Sequence, residues 1–168
     1  MKKIFRRNLW FTAIILFVVC VFFGFKYRTA HINGSSMEPT FKHDDWVVVE
    51  KDSWLGKNWT PDRFDVVLIA DKKNELICKR VMGLPGETVE IKNGEIYLDN
   101  KKFIDPFGQG KKIIYKFVDL DGNQLDSLLA GEDKIVVPEH CVWLIGDNRE
   151  SSWYGYLPIK NIKGLVIL

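Results

Sequence analysis

A chain of 168 residues holds one modest domain with a short extension. Its 46% hydrophobic and 27% charged content is that of a folded protein and excludes a disordered one. The net charge of +2 conceals a division: residues 1–28 carry six basic side chains and no acidic one, while the remainder carries 18 basic against 22 acidic. That balance excludes the concentrated basic surface that a nucleic-acid partner requires.

The first element follows directly from that charge pattern. Residues 1–7 hold Lys2, Lys3, Arg6 and Arg7, and residues 8–25 are 18 consecutive positions without a charge, NLWFTAIILFVVCVFFGF. As a helix this run is roughly 27 Å long, enough to cross a ~30 Å hydrocarbon core with little tilt. A cleavable leader has a shorter apolar stretch and ends at a small-x-small site; here Lys26-Tyr27-Arg28 follows instead. The reading is an uncleaved transmembrane helix over 8–25, with 1–7 a cytoplasmic basic segment and 29–168 on the other side of the membrane.

Beyond residue 28 no helical period persists, and short β-rich runs take over: Trp46–Val49, Asp65–Ile69, Leu76–Met82, Thr88–Ile91, Glu95–Leu98, Ile113–Phe117, Lys134–Val137 and Cys141–Ile145. Asn93-Gly94 between two of them signals a hairpin, since both residues tolerate positive φ. Pro85-Gly86 and Asp121-Gly122 read as turns, and Gly146-Asp147-Asn148 as a tight loop. Regular short strands without helical crossovers predict an all-β fold, an antiparallel barrel or sandwich. Long polar connections concentrate in 87–140, which reads as a smaller inserted β subdomain within a main domain of 29–86 and 141–168.

Two segments could carry chemistry. Gly34-Ser35-Ser36-Met37-Glu38-Pro39-Thr40 places hydroxyls directly after a glycine that allows a sharp turn, although on local sequence alone a Ser-rich turn opening the domain is the favoured reading. In Leu76–Met82 a strand puts Ile77, Lys79 and Val81 on one face, where desolvation lowers a lysine pKa toward that of a usable base. A lysine snorkelling from a strand edge is the alternative. The histidines His31, His43 and His140 each stand alone, and His140 and Cys141 would point to opposite faces, so no metal site is expected. Cys20, Cys78 and Cys141 form no disulfide framework and are expected to be buried and unreactive. Phosphate-binding and dinucleotide glycine patterns are absent.

Together these segments resemble the type I signal peptidase family. The matching blocks occur in order: the apolar anchor, Ser36-Met37-Glu38-Pro39-Thr40, the weaker Arg63-Phe64-Asp65-Val66-Val67, Lys79-Arg80-Val81-Met82-Gly83-Leu84-Pro85-Gly86-Glu87, and Gly146-Asp147-Asn148-Arg149. A single short anchor looks like the Gram-positive branch. The resemblance implies a serine endopeptidase with Ser36 as nucleophile and Lys79 as general base, the backbone amide of Ser36 as oxyanion donor, and no cofactor. It implies that Ile32, Gly34, Met37, Ile77 and Cys78 form the substrate site, with pockets admitting only small residues around an Ala-x-Ala motif. The partners implied are signal-peptide-bearing precursors and the lipid membrane, with the export translocase nearby.

The last block departs from the family pattern, which continues Asn-Arg-x-x-Ser-x-Asp-Ser-Arg. Keeping Ser152 and deleting four residues is the simplest alignment, and it makes Ser152 the hydroxyl that orients Lys79. It also removes the acid that normally accompanies the arginine after the lysine, so Arg80 is left to Asp147 or Glu150, and Arg149 stands beside the site. A narrowly specialised relative, or an inactive homologue that binds signal peptides within the export machinery, is the alternative reading.

Overall fold

The computed structural model describes residues 2–56, 58–70, 76–114 and 133–167, with side chains described from Trp10 onward and, after 132, from Lys134. It opens with helix α1 (Lys2–Lys26) and continues with β1 (Tyr27–His31), β2 (Trp46–Lys51), the single-turn α2 (Asp52–Leu55), β3 (Val66–Ala70) and β4 (Leu76–Gly83). Then come β5 (Thr88–Lys92), β6 (Glu95–Leu98), β7 (Lys101–Lys102), β8 (Asp133–Val136), β9 (Cys141–Ile145), β10 (Tyr154–Pro158), a 3-10 turn (Ile159–Asn161) and β11 (Ile162–Val166).

These strands build two antiparallel sheets, one of seven strands in the order β1-β2-β11-β3-β4-β9-β10 and one of four in the order β7-β6-β5-β8. The expected barrel does not close. β1 and β10 are the two edges of the large sheet, because the chain leaves β10 through the 3-10 turn and returns to the sheet interior as β11, between β2 and β3. The small sheet draws all its strands from residues 88–136.

Strand patterning explains the layers. β2 alternates, with Val47 and Val49 buried and Trp46 and Val48 exposed, as a strand covered on one face must. β9 is buried at all five positions and β3 at its first four, so both read as continuous apolar runs. Their side chains feed opposite cores by parity: Trp143 and Ile145 join Met82, Val89 and Ile96, while Val142 and Leu144 join Val67, Ile69 and Val81. A third cluster gathers Met37, Phe41, Val47, Val49, Leu68 and Cys78 beneath the β1–β2 connection. The Asn93-Gly94 turn joins β5 to β6 with positive φ at both residues (52° and 77°).

Four strands escaped the sequence reading, namely β1, β7, β10 and β11. Ile113 and Ile114 lie outside any strand, and the rest of that expected run and the Asp121-Gly122 turn fall outside the described residues. Among the described residues no helix is long and apolar enough to cross a membrane. Cys20 is exposed rather than buried, because it lies on α1, whose described side chains have little packed against them, whereas Cys78 and Cys141 are buried; all three are free.

Candidate active site

The β1–β2 connection carries Ser36. Two buried side chains in it, Met37 and Phe41, plug into the cluster below, and the Phe41 amide bonds the Met37 carbonyl at 3.0 Å, winding the segment into a tight turn. That anchoring leaves Ser36 half-buried at the rim. Its carbonyl accepts the Asn148 amide at 3.1 Å, and the Asn148 side chain donates to the Ser35 carbonyl at 3.1 Å. The loop after β9 therefore clamps the segment from the other side.

β4 lies across the sheet from it and supplies Lys79, which is 1% exposed. Its Nζ lies 2.8 Å from Ser36 Oγ. Burial lowers the lysine to about 8 against an ordinary 10.5, outweighing the opposing pulls from Cys78 and Asp147. A hydroxyl and an amine that loses its charge as pH rises through about 8, in hydrogen-bond contact, can perform nucleophilic acyl transfer. Beside them opens a cleft of about 500 Å³ lined by His31, Ile32, Asn33, Ser36, Met37, Leu68, Leu76, Ile77 and Cys78. Four of the five expected substrate-site residues line it. Gly34 does not; it takes φ +97°, where L side chains are strained, and its amide donates to His43 Nδ1 at 3.1 Å. The Cys78 thiol in this wall is pushed up to about 12 by burial and stays neutral. A wider hollow of about 920 Å³ beside α2, lined by Trp59, Glu139, His140 and Cys141 among others, contains neither Ser36 nor Lys79.

Behind the pair sits a buried charge network. Asp147 takes Arg80 bidentately, Nε to Oδ1 at 2.8 Å and Nη2 to Oδ2 at 2.6 Å, and accepts Thr40 Oγ1 at 2.5 Å. Arg80 also donates to the Phe64 carbonyl at 2.7 Å and stacks 3.6 Å from the Phe107 ring centre. Asp147 is thus the partner of Arg80, and Glu150 points away to Lys111, 2.6 Å distant on the surface. Arg149, fully buried, is held by Asp105 through two bonds of 2.8 and 2.9 Å and donates to the Gly146 carbonyl. Nothing in the sequence reading pointed to Asp105, although an Asp-Pro opening a polar connection is a turn signal that could have raised it.

Ser152 does not bond Lys79. Its hydroxyl accepts the Gly146 amide at 2.9 Å and donates to the Trp153 carbonyl at 3.0 Å, so both its hydrogen-bonding roles are taken by backbone. Ser152 sits in the loop wall, and Trp153 lies beside the amine, its ring centre 5.1 Å from Lys79 Nζ. The histidines also do not stand alone: His31 and His43 both reach Asp44, at 3.1 and 3.5 Å. Among the described residues no three potential ligands gather to hold a metal.

Gly146 makes the loop's closest approach. A Cβ there would lie 2.2 Å from the Ser36 carbonyl oxygen and 2.3 Å from Ser152 Oγ. Gly146→Ala should therefore push the Ser36 segment away from Lys79. A displacement near 1 Å costs on the order of 100-fold in rate, and peptide turnover together with thermal denaturation will separate misplacement from unfolding.

The family described as "Signal peptidase, peptidase S26" matches residues 5–168. "Signal peptidase I" of Bacillus caldolyticus is 34% identical over 168 residues, covering 96% of this chain and 87% of that one. "Signal peptidase I V" of Bacillus subtilis (strain 168) is 31% identical over 172 residues, covering 96% and 97% respectively. A crystal structure of a signal peptidase I from Enterococcus faecalis V583 is 24% identical with a TM-score of 0.45, covering 63% of this chain and 96% of that one. On the first two matches and the near-complete length of the third, the chain belongs to the signal peptidase family, peptidase S26, and is a serine peptidase of the signal peptidase I type.

Proposed function

We propose that this peptidase removes N-terminal signal peptides from exported proteins with Ser36 and Lys79 as a catalytic dyad. The observation that carries the reading is the 2.8 Å contact between a half-buried serine hydroxyl and a lysine brought down to about 8 by burial, at the lip of a peptide-sized cleft. Neutral Lys79 takes the proton from Ser36 as Oγ adds to the scissile carbonyl carbon. The resulting ammonium gives that proton to the departing amine, and an acyl-enzyme remains on Oγ. Water then repeats the cycle, with Lys79 again as base, and releases the signal peptide's new carboxylate. The Ser36 amide is the oxyanion donor in this scheme, unassisted by a side chain at Gly34.

The cleft walls from Ile32, Met37, Ile77 and Cys78 are apolar, which is in keeping with an extended peptide with small side chains at the first and third positions before the cut. Residues 29–86 and 141–168 form the catalytic part in this reading, and 87–140 an inserted β part. Membrane anchoring is supported by the charge-free run of residues 8–25 and by the described apolar side chains of α1 from Trp10 to Phe25, which are largely exposed. The basic residues Lys2, Lys3, Arg6 and Arg7 support an orientation with the start of α1 in the cytoplasm and the sheets outside, near the export translocase.

The test is incubation of the full chain in detergent with a secretory precursor, reading the new N-terminus by mass spectrometry. A single cut after an Ala-x-Ala site is expected, lost in Ser36→Ala and in precursors with a bulky residue at either Ala. Activity should climb with pH through the region near 8 as Lys79 becomes neutral. Cleavage surviving Ser36→Ala, or fastest in acid, overturns the dyad. Release of the protein from membranes by an alkaline wash overturns the anchor.

A further inference from the structure

In the proposed dyad, Lys79 must hold its amine on Ser36 when neutral and carry a full charge once it has taken the proton. Ser36 Oγ is its hydrogen-bond partner among the described residues, and Ser152, the expected second hydroxyl, is committed to Gly146 and Trp153. The ammonium formed during acylation therefore arises in a dry site. Val67 lies opposite it on β3, and the neighbouring groups that could respond to its charge are few. The Cys78 thiol is neutral, Arg80 is itself a cation, and the Asp147 carboxylate is already gripped by Arg80. What does face Nζ is the indole of Trp153, 5.1 Å from amine to ring centre, within the range where a ring's negative face attracts a cation. The ring is not free to turn aside. It packs against the cluster of Val67, Ile69, Val81, Leu144 and Leu157, and its backbone carbonyl is tied by the buried Ser152 hydroxyl.

Resting on the dyad reading, we propose that Trp153 is a positioning residue for Lys79: its indole face holds the amine against Ser36 and stabilises the ammonium that forms when the Ser36 proton is transferred. The shortened loop thereby substitutes an aromatic face for an orienting hydroxyl, and Ser152 acts one step removed, by fixing Trp153. The interaction favours the charged form, so it opposes burial. Removing it should lower the lysine further, by up to about one pH unit.

The experiment compares Trp153→Leu and Trp153→Phe with the parent chain in detergent, reading kcat and KM for a peptide substrate across pH. Trp153→Leu should reduce kcat about tenfold with little change in KM, and should move the ascending limb of the profile to lower pH by ~0.5–1 unit. Trp153→Phe, which keeps a weaker aromatic face, should recover most of both. In parallel, Lys79 is titrated by NMR in 13C-lysine-labelled Ser36→Ala protein with and without Trp153→Leu, so that the shift is read without turnover. A tenfold loss with an unmoved limb and an unmoved titration makes Trp153 a structural residue only and overturns the proposal, as does equal loss in Trp153→Phe. The dyad is judged separately: if Ser36→Ala retains activity, that reading has failed whatever Trp153 does.

Discussion

Lys79→Ala is expected to lower turnover by about 10⁴-fold while leaving both sheets folded, and Lys79→Arg should be no better. Removing a positioned base costs 10²–10⁴-fold in general, and in the proposed dyad the same side chain would also protonate the leaving amine, so the upper end applies. Arginine keeps a cation at the site but cannot shed its proton in the working range. The site also leaves a mark on stability. The folded-state value, about 8, lies below the ordinary 10.5, so between these pH values the unfolded chain binds more protons. Stability contributed by this group consequently rises as pH climbs from about 8 toward 10.5, and is least below 8, where folding buries a charge. Lys79→Met should be more stable than the parent at pH 7, by a few kcal/mol at ~1.4 kcal/mol per pKa unit, and should lose the rise. Thermal midpoints of the two proteins from pH 6 to 10 check this. A methionine variant no more stable than the parent would mean that the lysine is not desolvated.

Much of this was legible because the periods are clean. Val66–Ala70 and Cys141–Ile145 are unbroken apolar runs and could only be strands buried on both faces. Tyr154–Pro158 and Ile162–Val166 were not, since each carries a residue that ordinarily argues against a strand. Pro158 closes β10, and Gly164 sits where a Cβ would be 2.5 Å from Val49 Cγ1, so that glycine marks the close crossing of β11 on β2 rather than a break. β1 was hidden by its polar sequence YRTAH, which suits an edge strand continuing straight from a helix. In the site, a hydroxyl turn and a lysine between aliphatics could each be seen locally. That they meet depends on β3, β4 and β9 lying side by side and on the loop after β9 gripping the Ser36 segment, which no local pattern encodes. The pairing of Asp105 with Arg149, 44 residues apart, has the same character. Ser152 turns its hydroxyl to the Gly146 amide and the Trp153 carbonyl, and the next side chain, Trp153, is the one that faces Lys79; neither orientation is encoded in the local sequence.

Asp147→Ala should be the most damaging change to stability outside the apolar cores. The carboxylate is 1% exposed and lies between two buried guanidinium groups, bidentate to Arg80 and 3.8 Å from Arg149, with Thr40 capping its second oxygen. Arg149 keeps Asp105 when it is lost, but among the described residues Arg80 keeps only the Phe64 carbonyl and the Phe107 ring. Stranding a buried charge in this way costs about 3–5 kcal/mol, against the full desolvation of an ion that can neither move to water nor neutralise. In a chain of this size that is a fall of roughly 6–20 °C in the thermal midpoint. Asp147→Asn, which retains one acceptor oxygen, should fall between. Turnover should drop with Asp147→Ala even below the new midpoint, because Arg80 adjoins Lys79 on β4 and Asn148, the next residue, holds the Ser36 carbonyl. Glu150→Ala is the control that the sequence made necessary, since either acid could have served Arg80. It removes only an exposed pair with Lys111 and should change stability by no more than ~0.5 kcal/mol. If Glu150→Ala is the variant that melts early, the charge network is wired differently. The double variant Arg80→Met with Asp147→Leu gives the sharper reading: removing both partners should recover much of the lost stability, since an apolar pair leaves no ion stranded. Recovery of stability without recovery of turnover would show that this buried pair is retained to hold Lys79 and Ser36 in register, at no net gain to the fold.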